Sequence, residues 1–248
     1  MKTKLLALNF SPSRRREETD SHVAGQSASS RRRLRFRGSK RELSFRGILT
    51  LVASVALTGA ALAAPLTFDF KDPKGVNNAV FKLDAPLEAI NGSASGISGT
   101  VTFDPEKPGD TKGKIIVDAA TLQVPNSMMN EHMHGGQWMD VAKFPEITFD
   151  AKALKNVKTD GGKTTADAAG TLTIKGVARE MTVPVTLTYL KDKLGVRMNK
   201  PDLKGDLLVI RANFTIKRAD FGINPKAPAD KVSEEINLTL SIAGAAAK

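Results

Sequence analysis

From Leu66 onward, apolar residues recur at every second position, with Thr, Lys, Asp and Ser between them. AVFKL puts Ala79, Phe81 and Leu83 on one face, ISGTVTF puts Ile97, Val101 and Phe103, and KIIVDA puts Ile115 and Val117. The same period runs through ITFDAKAL (Ile147, Phe149, Ala151), TLTI (Leu172, Ile174) and MTVPVTLTY (Met181, Val183, Val185, Leu187, Tyr189). VIRANFTI (Ile210, Phe214, Ile216) and INLTLSI (Ile236, Leu238, Leu240, Ile242) close the series. A period of two predicts half-buried antiparallel strands, and a single apolar face per strand argues against a parallel sheet covered on both sides. About eight such strands leave no room for a second domain, so an all-β, antiparallel, closed barrel is expected. Closure also removes the open edges that Val- and Thr-rich strands would offer to other chains. NG at Asn91–Gly92 and DGG at Asp160–Gly162 are hairpin signals, and DPEKPGD and NPKAPAD are loops. Pro184 falls in mid-strand, where it needs an edge or a bulge.

One segment breaks the period. NSMMNEHM starts with Asn126 or Ser127 as N-cap and is stopped by Gly135–Gly136, which predicts a short helix. Lying between the strands of Val117 and Ile147, it has one economical place to go, across an open end of the barrel. Met128, Met129 and Met133 on that helix are unbranched and adaptable. Trp138, Met139 and Phe144 would seat the loop that follows, with the double glycine as hinge. His132 and His134 would then lie near the mouth. Two readings stay open: a flap over a pocket, or a methionine plug in a barrel that fills itself with side chains. A third is a soft-metal site for copper built from Met128, Met129, His132 and Met133, since Met128/His132 and Met129/Met133 are both i, i+4 pairs. Zinc lacks a third nitrogen or sulfur donor.

Composition narrows the classes. The chain has no cysteine, so neither a disulfide framework nor a zinc ribbon is available. Of the formal charge of +11, +9 sits in residues 1–63, which carry 13 Lys/Arg and 4 Asp/Glu. The remaining body is nearly neutral and calls for no nucleic-acid partner. Residues 1–46 read as a disordered basic extension. In SFRGILTLVASVALTGAALAAP a basic flank, an apolar run (residues 47–63) and the small pair Ala61 and Ala63 have the layout of a secretory signal. Cleavage after Ala63 would leave residues 64–248 as a single exported domain, periplasmic or secreted, with no retained membrane span. Translation from a start near Leu43 would give the same product.

Four motifs, in order, resemble the YceI-like family: SGTVTFDP (Ser98–Pro105), NEHMHGGQWMDVAKFPEITF with His132, Asp140, Phe144, Pro145, Ile147 and Phe149, GTLTIKGVAREMTVPV (Gly170–Val185), and FTIKRADFGI (Phe214–Ile223). The resemblance covers most of residues 66–243. It implies an exported, roughly eight-stranded lipocalin-like barrel that binds polyisoprenoids. The Trp and the His-Ser pair with which family members often open are absent from LTFDFKDPKGVNNAVFKLDAPLEA.

The expected function is therefore sequestration or carriage of a polyisoprenoid or isoprenoid-quinone-like ligand, with copper binding as the alternative. The candidate ligand-binding residues are Phe81, Val101, Phe103, Val117, Met128, Met129, His132, Met133, Trp138, Met139, Phe144, Phe149, Leu172, Ile174, Val183, Val185, Phe214 and Phe221. No resident metal or cofactor is expected beyond a bound lipid, and a homodimer stays open. No nucleophile elbow, H-E-x-x-H or phosphate-binding glycine loop is present, so an enzyme is not expected. Asp104, Asp118, Asp140, Asp150 and Asp220 read as turn or strand-end residues. Lys217–Arg218 reads as a cation at the mouth or as a solvated strand end.

Overall fold

The computed structural model describes residues 64–248, so the basic extension and the signal segment lie outside the described residues. In chain order the elements are β1 (Leu66–Asp69), β2 (Asn78–Asp84), β3 (Ala89–Ala94), β4 (Ile97–Phe103), β5 (Lys112–Asp118), α1 (Ser127–His134), β6 (Glu146–Asp160), β7 (Lys163–Ile174), β8 (Val177–Leu190), α2 (Leu194–Met198), β9 (Gly205–Lys217) and β10 (Glu235–Ala247). Among the described residues no helix is long and apolar enough to cross a membrane.

Ten strand segments make eight staves. β10 pairs with β1 at Asp69–Ala245 and with β2 from Asn237–Lys82 to Ser241–Asn78, so β1 and β2 share one flank of the same neighbour. β4 pairs with β1 and β3 with β2, which makes β3–β4 the second interrupted stave. From β4 the order runs β5, β6, β7, β8, β9, β10 without a crossover, every pair antiparallel, and the β1–β10 pairing closes the ring. The break in the first stave is tied by Asn77, whose side chain donates to the Phe70 and Ala243 carbonyls and accepts from the Ala243 N–H.

Turn chemistry explains most of the corners. Gly161 and Gly162 (φ 54° and 82°) turn β6 into β7, as DGG predicts. Lys175 and Gly176 (φ 50° and 74°) turn β7 into β8. The NG signal is corrected by the structure: Asn91–Gly92 lies inside β3, and the hairpin turn is 85–88. Gly92 stands opposite Phe81, and a Cβ there would sit 2.1 Å from the Phe81 ring. The missing side chain seats an aromatic ring and makes no turn. Asp150 is also corrected, since it stands within β6, 4.0 Å from Lys114.

Pro184 finds an edge. β8 pairs with β7 from Val177 to Thr188, whereas its pairing with β9 covers only Val185–Leu190. Residues 177–184 of β8 and 213–217 of β9 therefore fork apart, and the proline sits at the crotch, where no ladder bond to β9 is made.

Two buried clusters fill the barrel from its ends. At one end Phe68, Phe70, Phe103, Leu208 and Ile242 pack solidly, with Phe68 and Phe103 ring centroids 6.3 and 6.2 Å from Tyr189. At the other end Leu83, Leu122, Met139, Ile174, Phe221 and Ile223 pack under the long connections. Val117 and Phe149 touch both clusters. Between the two lies the cavity.

Candidate functional site

Down the axis runs a cavity of about 340 Å³. That is near the lower end of the roughly 300–1,000 Å³ usual for small-molecule sites. Its wall is built from the inward faces of the staves, with Val101, Ile115, Val117, Phe149, Leu172, Val183, Val185, Leu187, Ile210 and Phe214 among the lining residues. At the packed end it stops short of β1, none of whose residues lines it. At the opposite end Leu122, Val124, Met129, His132, Met133, Trp138, Met139, Ile223 and Val232 surround it. That end is the mouth.

The cover over the mouth follows from local chemistry. The Asn126 side chain accepts from the Met129 N–H at 2.9 Å and caps α1, and Gly135 ends it. Because α1 has its 129, 132 and 133 positions on one face, Met129, His132 and Met133 reach the cavity together. The His134 ring nitrogen Nε2 bonds the Leu122 carbonyl at 2.8 Å, and the Val124 N–H donates to the Asn130 side chain at 3.0 Å. After the helix, Met139 N–H bonds Met133 O and Asp140 N–H bonds Gly135 O. Gly135 itself is extended (φ −71°, ψ 167°).

The loop 218–234 completes the rim around one buried side chain. Arg218 is 1% exposed. Its Nε donates to Ser233 O at 2.7 Å, Nη1 to Ile223 O at 2.9 Å and Asn224 O at 2.5 Å, and Nη2 to Val232 O at 3.1 Å. Glu234 Oε2 lies 3.3 Å from Nη2. Four main-chain carbonyls thus accept from the guanidinium, and one carboxylate stands beside it as an ion pair. Arg218 is therefore no solvated strand end: it is buried and lines the cavity at its mouth, with its guanidinium already bonded to carbonyls, while Lys217 is exposed. Lys175 plays a similar part from the β7–β8 turn, its ammonium donating to Gly136 O, Gln137 O and Gly222 O.

A model of the YceI-like domain matches residues 74–244. The chain belongs to the YceI-like family. A UPF0312 protein of Yersinia pestis (strain Pestoides F) is 30% identical over 204 residues, 81% of this chain and 96% of that protein. Among solved structures, Burkholderia cenocepacia BcnA is similar at a TM-score of 0.55 and 23% identity, over 67% of this chain and 95% of that one. A polyisoprenoid binding domain from Saccharophagus degradans, implicated in plant cell wall breakdown, is similar at 0.53 and 10% identity, over 74% and 99%. At these identities the two structures bear on the fold alone, and both agree with an antiparallel YceI-like barrel.

Against this YceI-like frame, the structure puts Phe81, Val101, Val117, Met129, His132, Met133, Trp138, Met139, Phe149, Leu172, Ile174, Val183, Val185 and Phe214 on the cavity wall. Four candidates lie elsewhere. Phe103 points inward, as its alternation predicts, but belongs to the packed end beside Tyr189. Met128 is 66% exposed, because at about 100° per residue it is turned off the helix face that carries Met129, His132 and Met133. The four proposed copper donors therefore do not converge, and among the described residues no group of three or more His, Cys, Asp or Glu stands close enough to hold a metal. Phe144 packs its ring against Gly176, outside the cavity. Phe221 is buried in a 3₁₀ turn (Ala219–Phe221), and Ile223, folded back by its N–H bond to Arg218 O, takes the place at the wall. Among the residues that sequence reasoning missed, Leu122, Val124, Ile223 and Val232 come from connections, where apolar residues carry no period, while Ile90, Leu154, Ala168 and Ala212 come from strands. The signal in the connections was apolar character inside polar loops.

Proposed function

We propose that this chain is an exported, non-enzymatic carrier or sequestering protein that holds one long apolar molecule of the isoprenoid class inside its barrel. The observation that carries the reading is the cavity beneath α1, walled by hydrocarbon side chains along the staves. Such a bore holds a tail by burial alone, at roughly 25 cal/mol per Å² or about 0.8 kcal/mol per methylene. It needs no polar anchor along its length. The packed end confines self-filling to one side, leaving the void under Met129 and Met133. The polyisoprenoid binding named for the Saccharophagus degradans domain supports an isoprenoid over other lipids. The A-x-A layout at Ala61 and Ala63 supports export.

Organic extraction of the purified protein followed by mass spectrometry tests the ligand class. A long-chain prenyl lipid is expected, and repeated empty spectra from protein made in its own host would remove the reading. N-terminal sequencing of the exported chain should begin at Ala64.

A further inference from the structure

We infer that the packed end of the barrel carries a docking surface for an anionic lipid bilayer, built from the excursion 70–77 between β1 and β2 and the connection 191–204 that contains α2. This surface is independent of whatever the cavity holds. Side-chain bonds tie the two segments into one protrusion. Arg197 Nη2 lies 3.3 Å from Asp72 Oδ1 and donates to Asn77 Oδ1 at 3.5 Å, and the Lys74 ammonium donates to the Arg197 carbonyl at 2.7 Å. Leu194 and Gly195 of α2 are buried, whereas Val196, about 200° round the helix from Leu194, is 70% exposed. Val76 is 54% exposed on the excursion, and Leu203 37% on the return to β9. Val196, Pro201 and Leu203 line one surface groove. Three of the six large apolar side chains exposed among the described residues thus stand on one protrusion, whereas scattered single ones would need no explanation.

Charge supplies the complement. Lys71, Lys74, Lys191, Lys193, Lys200 and Lys204 are all exposed on the same two segments. Of the carboxylates there, Asp72 is taken by Arg197 and by the N–H groups of Lys74, Val76 and Asn77, and Asp192 by Lys248, which leaves Asp202. The connections around the mouth hold no such surplus, since five Lys/Arg face six Asp/Glu in 85–88, 119–145, 175–176 and 218–234. An anionic bilayer attracts each nearby lysine, with a gain of about fivefold in binding. Lysine is depleted at protein–protein interfaces, but its long apolar stem can lie along a bilayer with the ammonium among the phosphates. Small apolar tips ringed by lysines therefore fit lipid better than a folded partner. The mouth lies at the opposite end, so a docked barrel keeps it clear.

Purified from its own host, the chain is sedimented with vesicles of phosphatidylcholine alone and of an equal mixture of phosphatidylcholine and phosphatidylglycerol. Binding to the mixture is expected, weakened by salt, with little to phosphatidylcholine alone. Lys193→Glu with Lys200→Glu should weaken it by about 25-fold or more, about fivefold for each charge lost. Val196→Ser should weaken it by about three- to tenfold. Lys226→Glu with Lys231→Glu makes the same change of net charge at the mouth and should leave binding within about twofold. All five positions are exposed, and thermal unfolding checks that each variant keeps the fold. Absence of binding to the mixture overturns the inference, and a soluble acidic partner would give that result. An equal loss from the two lysine pairs also overturns it, since net charge and no particular surface would then be acting. So does indifference to Val196→Ser, because the apolar tip would then touch nothing.

Discussion

Replacing Arg218 should be the most damaging single change in the loops. Arg218→Leu removes the partner of four main-chain carbonyls, those of Ile223, Asn224, Val232 and Ser233, and of one carboxylate, Glu234. Each carbonyl left dry would cost about 1–3 kcal/mol, but loop 218–234 can relax and admit water, so a net loss of about 3–5 kcal/mol is expected. Set against the roughly 5–15 kcal/mol of a typical domain, that is a large share. The carboxylate matters less. Glu234 is 38% exposed, and Glu234→Gln keeps an oxygen for the Ala219 N–H, so it should cost about 1 kcal/mol or less. Arg218→Lys keeps the charge with three donors in place of five and should recover only a minor part. Urea denaturation followed by Trp138, whose ring lies 6.0 Å from the guanidinium carbon, measures all three. A loss below about 1 kcal/mol for Arg218→Leu would refute the accounting. So would Glu234→Gln costing as much as Arg218→Leu, since the ion pair would then be the main anchor.

Three other outcomes are expected. Gly176→Ala should destabilise by about 1 kcal/mol or more, because φ is +74° there and the new Cβ would lie 2.6 Å from the Phe144 ring; thermal unfolding reads it. Burial first, and then the hydrogen bond from its hydroxyl to Asp206, push the Tyr189 phenol up to about 12, and as the chain's one tyrosine it titrates alone in the ultraviolet. Since the folded state favours the neutral phenol, its contribution is complete below the free value of about 10 and fades as pH rises through about 12, a loss that Tyr189→Phe should abolish. Hydrogen exchange within β8 should step from slow in 185–188, paired on both sides, to faster in 177–184, paired with β7 alone.

Much of this molecule was legible in the alternation, because each stave has one apolar face and a period of two survives every local choice of residue. Asn126 and Gly135 marked the ends of α1 for equally local reasons of capping. The interruptions of the first two staves were not legible, since Asn77 holds the break through bonds to Ala243, 166 residues away. Gly92 misled for the same reason: what it accommodates is a ring on another strand. Arg218 was unreadable as a buried group because its partners are main-chain carbonyls, which every residue possesses. Phe103 was read on the correct face, but alternation says nothing about depth along the axis, and depth separates packed end from cavity wall.

A fully laddered barrel has a fixed girth, because widening it anywhere means breaking bonds between strands. Where β8 and β9 part at Pro184, no such bonds exist on the mouth side, so the fork is an expansion joint. Side-chain packing and contacts across its tip, such as the bond from Arg179 Nε to the Asp220 carbonyl at 3.0 Å, are what oppose its opening. The rim can therefore widen by splaying one seam, with the other seven left intact.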